Sequence, residues 1–105
     1  MTLQEFKDLL SAVTPNVYHY RQPKGVTAPW VTWAEQSRSG LFGGDRREAY
    51  ADHGVVDLFT KAEWDPLVAA IETMFCEAEV AFELEMIQYE EDTKLIHYTW
   101  SFEVA

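Results

Sequence analysis

Three histidines (His19, His53 and His97), one cysteine (Cys76) and an acidic triplet (Glu90, Glu91 and Asp92) are the residues of this 105-residue chain with the means to hold a metal or move a proton. Their spacing argues against both. No two histidines stand four apart on a helical segment, and none lies near Cys76, so the ligand sets that zinc requires are not present. A single cysteine cannot form an internal disulfide. Near the end of the apolar run 67–75 it reads as a small buried side chain. The stretch "SGLFGG" is glycine-rich but lacks the lysine and the helix that make such a loop a phosphate cradle. There is no G-x-S-x-G and no dinucleotide fingerprint. The acidic triplet falls in a turn, where solvated carboxylates are the ordinary outcome. No nucleophile, base and anion stabiliser come together, so the sequence predicts no catalytic, cofactor-binding or metal-binding residue and no enzymatic activity.

Charge is the next informative property. Residues 1–50 carry six Lys/Arg against five Asp/Glu, whereas residues 51–105 carry two lysines against thirteen acids. The net charge of −10 therefore belongs to the second half. Such a chain has no basic footprint for neutralising phosphates, which excludes conventional nucleic-acid binding. No apolar run approaches a membrane span, and the start "MTLQEFKDLL" lacks the basic flank and cleavage site of a signal peptide, so an intracellular product without a membrane partner is expected.

The elements that must carry these residues follow from periodicity. Thr2 and Glu5 form a capping box, and Leu3, Phe6, Leu9, Leu10 and Val13 recur at helical spacing, predicting a helix over 3–13 that stops before Pro15. "NVYHYRQ" reads as a strand. "WVTWAEQS" reads as a second, with apolar groups on both sides, which suits a strand inside the sheet. "RSGLFGGDRREAYADHG" holds four of the five glycines and three of the four arginines. It is expected to be a long connection, poorly ordered over 37–50 in the isolated subunit. "VVDLFTK" is a third strand. Thr60 with Glu63, or Asp65 with Pro66 at the first helical position, then opens a second helix ending near Cys76.

The last two strands form a hairpin around "EEDTK". Symmetric closure sets Tyr89 against Leu95, Leu84 against Trp100, Phe82 against Phe102 and Val80 against Val104. It also sets Glu85 against Thr99 and Glu83 against Ser101. Apolar meets apolar and polar meets polar in this register. The order α-β-β-β-α-β-β predicts one α+β domain over 1–105, an antiparallel sheet of about five strands with two helices on one face. Leu84, Trp100 and Phe102 are then core. Glu83, Glu85 and Glu103, with Thr99 and Ser101, line an acidic open face.

"VVDLFTKAEWDPLVAAIE" and "YEEDTKLIHYTWSFEV", within a likeness running from about Val17 to Val104, resemble the tail-completion (tail-terminator) proteins of long-tailed bacteriophages and prophages. The resemblance implies a structural protein of the virion, assembled in the host cytoplasm as a hexameric ring that caps the tail tube. Its partners would be further copies of itself, the major tail protein and the head-connector protein, with DNA passing through the lumen as cargo. It also implies that the connection 37–53 and the open sheet face meet those partners. Against the acidic half of a neighbouring copy, the charge split nominates Arg38, Arg46 and Arg47. Trp30, Leu41, Phe42 and Tyr50 are candidates for the apolar centre of such a contact. Head-tail joining proteins, minor capsid proteins, and an acidic adaptor or DNA mimic that inhibits a nucleic-acid enzyme are the alternatives.

Overall fold

The structure, a computed structural model, describes residues 1–40 and 50–105. Helix α1 spans Leu3–Val13 and α2 spans Pro66–Glu77. The strands are β1 (Val17–His19), β2 (Trp30–Gly40), β3 (Tyr50–Thr60), β4 (Ala81–Glu90) and β5 (Leu95–Val104). The element order and the α+β class are those expected. The sheet runs β1-β2-β3-β5-β4. It is mixed, because β1 pairs parallel with β2 while all other pairs are antiparallel.

Both helices start where side chains satisfy their first backbone N–H groups. Thr2 accepts from the Glu5 backbone at 3.1 Å while Glu5 accepts from the Thr2 backbone at 2.8 Å, a complete capping box. Of the two possible starts for α2, Asp65 is used: its carboxylate accepts from the Leu67 N–H at 2.8 Å, with Pro66 at the first helical position. Thr60 instead ends β3 and donates to Asp65 at 2.5 Å, tying strand to cap.

The helices lie on one face of the sheet and meet it through aromatic rings. Phe6 of α1 packs on Phe102 at 4.3 Å between centroids, on Trp33 at 5.9 Å and on Phe75 of α2 at 6.1 Å. Trp100 is fully buried and its indole N–H donates to Glu72 of α2 at 2.7 Å. Phe102 is buried too, as expected.

Four expectations need correction. Leu84 does oppose Trp100, yet it is 37% exposed, because α2 covers only the start of β4, where Phe75 packs on Phe82 at 5.0 Å. Glu85 is an extra residue in a β-bulge, so Met86 and not Glu85 opposes Thr99, and Tyr89 opposes Ile96 and not Leu95. The bulge moves Met86 to the open face and Ile87 and Tyr89 to the helix side. Cys76 is exposed and not buried, because it follows Phe75 onto the far side of α2. The connection 37–53 is also shorter than expected: Ser37–Gly40 and Tyr50–His53 are paired strand, and the remainder of the stretch expected to be poorly ordered lies outside the described residues.

Trp100→Ala is expected to cost about 3–5 kcal/mol in denaturant melts, as for a fully buried large side chain. Leu84→Ala, opposite it on the bare strand, should cost less than about 1.5 kcal/mol. Equal losses would mean that the helices cover β4 as fully as β5.

Candidate interaction surfaces

The strands alternate in parity, and this sorts the candidate residues that are described onto one face or the other. In the rows across β2, β3 and β5, Ser37–His53–Glu103, Ala34–Val55–Ser101, Thr32–Asp57–Thr99 and Trp30–Phe59–His97 look away from the helices. Val31–Leu58–Tyr98 and Trp33–Val56–Trp100 look toward them.

The open face is acidic but internally paired. His97 lies 2.7 Å from Asp57 through Nε2 and 3.2 Å from Glu90 through Nδ1. Thr99 donates to the same Asp57 oxygen at 2.7 Å. A neutral imidazole has one N–H, so only the imidazolium donates to both carboxylates. His53 lies 3.3 Å from Glu103 and 2.9 Å from the Ser39 hydroxyl. Ser101 donates to Glu85 at 2.8 Å. The sequence reading named Glu83, Glu85 and Glu103 on this face, placed His97 on the same wet face of its strand, and missed Asp57 and His53. Asp57 and His53 lie on β3, where no residue of this face was named; only their pairing with Thr99 and Glu103 of β5 sets them there.

One end of the open face is apolar. Trp30 stacks on Phe59 at 5.1 Å, and Phe59 stacks on His97 at 4.1 Å. Trp30 is thus buried within its own subunit.

Arg38 is not a loop residue. It lies on β2, directly opposite Asp52, and grips that buried carboxylate through Nε at 2.7 Å and Nη2 at 3.3 Å. Its guanidinium also sits 4.2 Å from the centre of the Tyr50 ring, a cation–π contact. Arg38, Asp52 and Tyr50 therefore lock the far part of the β2–β3 hairpin. Leu41, Phe42, Arg46 and Arg47 lie outside the described residues.

Where the hairpin meets the main sheet, β2 has a bulge at Gln36 and β3 has Gly54. A Cβ on Gly54 would stand 2.1 Å from the Ala34 carbonyl oxygen and 2.8 Å from the Phe102 ring. Glycine is needed there so that β2 and the core ring can both approach. A shallow groove of about 360 Å³ is lined here by Gln36, His53, Gly54, Glu83, Ser101 and Glu103.

At the β1 end, His19 stacks on Trp33 at 4.1 Å and lies 3.0 Å from Glu35, to which the Tyr20 hydroxyl also donates. Burial works to raise the Glu35 carboxyl, but the hydrogen bonds from Tyr20 and His19 outweigh it and hold it below the ordinary glutamate value of 4.5. Tyr20 has φ 71°, which turns the chain out of β1 after three residues.

In sum of geometry, these surfaces can bind other macromolecular surfaces: a paired acidic face, a stiffened hairpin and an uncovered edge strand. Among the described residues no cluster of three or more His, Cys, Asp or Glu side chains is placed to hold a metal, and no helix is long and apolar enough to cross a membrane.

No protein-family model matches the chain, and no curated protein matches it. The fold is similar to that of a chain in a solved structure of the virion of a native gene transfer agent (GTA) particle. The two align with a TM-score of 0.62 at 12% identity, covering 90% of this chain and 81% of the other.

Gly54→Ala is expected to destabilise the protein by about 1–3 kcal/mol through overpacking against backbone and ring. Chemical denaturation checks this, and an unchanged midpoint would contradict the close approach. Glu35, its carboxyl depressed in the folded state, contributes stability that is present above its unfolded value and is lost as pH falls through the folded one. Glu35→Gln should therefore lower the melting temperature at neutral pH and flatten its fall below about pH 4.5.

Proposed function

We propose that this chain is a structural protein of a phage, prophage or phage-like particle that caps the tail tube and joins tail to head, as a ring of tail-terminator type without catalytic function. The observation that carries the reading is the fold likeness to a GTA virion chain over nine-tenths of this chain. The element order and the local phrases "VVDLFTKAEWDPLVAAIE" and "YEEDTKLIHYTWSFEV", which resemble tail-completion proteins, support the finer assignment. The charge supports it as well. A surface with thirteen acids in its second half is poor at gripping DNA. It suits a passage that DNA slides along, because phosphates are repelled.

In this reading the partners are further copies of the chain, the major tail protein and the head connector. The protein resides in the virion after assembly in the host cytoplasm. Head-tail joining is the second reading, favoured by the same fold likeness. It differs in which side of the joint the protein occupies.

The test is assembly with cognate tail tubes and heads. Wild-type protein should cap tubes at uniform length, and gold-labelled protein should appear at the head-proximal tube end before heads are added. Arg46→Glu with Arg47→Glu should weaken capping, since these cations are nominated to meet an acidic neighbour. Label found on heads alone would favour the joining reading. Tubes that terminate and join heads normally without this protein would leave the acidic adaptor as the better account.

A further inference from the structure

The sheet has two outer strands, and they differ in charge. At one edge, β4 runs ten residues with no proline and no lysine. Natural edge strands of that length are usually guarded by such residues or by bulges, and here the one interruption is the bulge at Glu85. Among the described residues β4 has a strand neighbour on one side, β5, so its other side presents unpaired backbone groups. Past Phe82, which packs on Phe75, its helix-side residues are also bare, with Ile87 59% and Tyr89 52% exposed. From Glu77 to Thr93 the chain carries seven acids and no Lys or Arg.

The other edge is β1. From Leu9 to Ala34 the chain carries Arg21 and Lys24, both exposed, and no acid. Glu35, the next acid, is already engaged by His19 and Tyr20. The two edges of one sheet are thus oppositely charged.

We propose that the β4 edge of one subunit receives the β1 edge of a second copy of this chain, extending the sheet across the subunit boundary. The inference names the subunit contact of the ring proposed above and rests on that reading. Direction is consistent with it. β1 and β2 run together, and three antiparallel steps follow to β3, β5 and β4, so β4 runs opposite to β1. A neighbour related by rotation about an axis along the strands therefore meets β4 antiparallel. Glu83 and Glu85 face a flank that carries Arg21 and Lys24, while Ile87 and Tyr89 gain apolar cover. The contact is heterologous, using different patches on the two copies, and it repeats until the rotation closes it. Pairing β4 with β4 would instead set two acidic strands against each other, where like charges are destabilising.

Charge-swapped variants test this. Glu83→Lys with Glu85→Lys makes both edges basic, and Arg21→Glu with Lys24→Glu makes both acidic. All four positions are exposed, so thermal melts should show the wild-type fold. In sedimentation velocity at low salt and high protein concentration, wild type should associate and each variant alone should associate at least about tenfold more weakly. An equimolar mixture should recover association, because each acidic edge then finds a basic one. Ile87→Lys, which changes the apolar part of the same edge, should also weaken wild-type association. A wild type that stays a single subunit under these conditions overturns the proposal. So does undiminished association of either variant, or a mixture that fails to recover. Protein that caps tubes yet fails these tests loses only the edge contact. Protein that passes them yet leaves tubes uncapped loses the tail-joint reading instead.

Discussion

Two short helices cannot cover this sheet, and much of the architecture follows from that mismatch. Eleven and twelve helical residues reach about 17 Å each, whereas strands of ten or eleven residues reach about 35 Å. The helices are fixed over the middle of the sheet by Phe6, whose ring touches Trp33, Phe75 and Phe102 together. What lies under that point is core: Val31, Val56, Leu58 and Trp100 are fully buried. What lies beyond it needs another means of support. The far β2–β3 hairpin is held by the Arg38–Asp52 pair and the Tyr50 ring. The β4 strand is supported at its start, where Phe82 packs on Phe75, but beyond it Leu84, Ile87 and Tyr89 stay in water.

The acidity of the second half also divides by location. On the open face, Asp57, Glu90 and Glu103 lie beside His97 and His53, and Glu85 accepts from Ser101. Asp57, Glu90 and Glu103 are thereby internally engaged, whereas Glu85, though it accepts from Ser101, stays exposed on the edge strand. Glu77, Glu79, Glu83, Glu91 and Asp92 are exposed at or near β4. The negative field available to a partner is therefore concentrated at the edge strand, where the backbone and the bare apolar groups also face outward. Charge of this kind contributes more to the choice and rate of encounter than to final affinity, which the apolar groups and backbone pairing must supply.

Local chemistry was the most legible part of the sequence. Thr2 with Glu5 and Asp65 with Pro66 announce their helices because a cap is decided within four residues. The hairpin register from Phe82 to Leu84 was readable because apolar parity on both strands admits one alignment. It failed at Glu85 because a bulge leaves no mark in a pattern of alternating Glu and apolar residues. The β2–β3 extension was misread for a related reason. Serine, glycine and arginine have weak strand preference, but Ser37 to Gly40 have partners on β3, and pairing overrides propensity. Arg38 was nominated for an acidic neighbouring copy because its own carboxylate, Asp52, is fourteen positions away. The parallel pairing of β1 was equally hidden, since nothing in "NVYHYRQ" specifies which neighbour it will take.

Exposed apolar strand residues usually signal a missing neighbour, and in this chain the sheet itself narrows what that neighbour is. A partner for β4 must bring unpaired strand backbone, apolar surface and positive charge together. The β1 edge ends after three residues, where Tyr20 turns away, and Arg21 and Lys24 follow at once. A short strand followed by cations can pair with a few residues of β4 while its charges reach the glutamates alongside. Under the edge pairing proposed above, such a strand cannot sustain a long sheet by itself, and closure into a small ring is then favoured over open-ended growth, in which every junction would depend on three paired residues alone. In a ring each subunit is held from both sides, and breaking one junction does not release it.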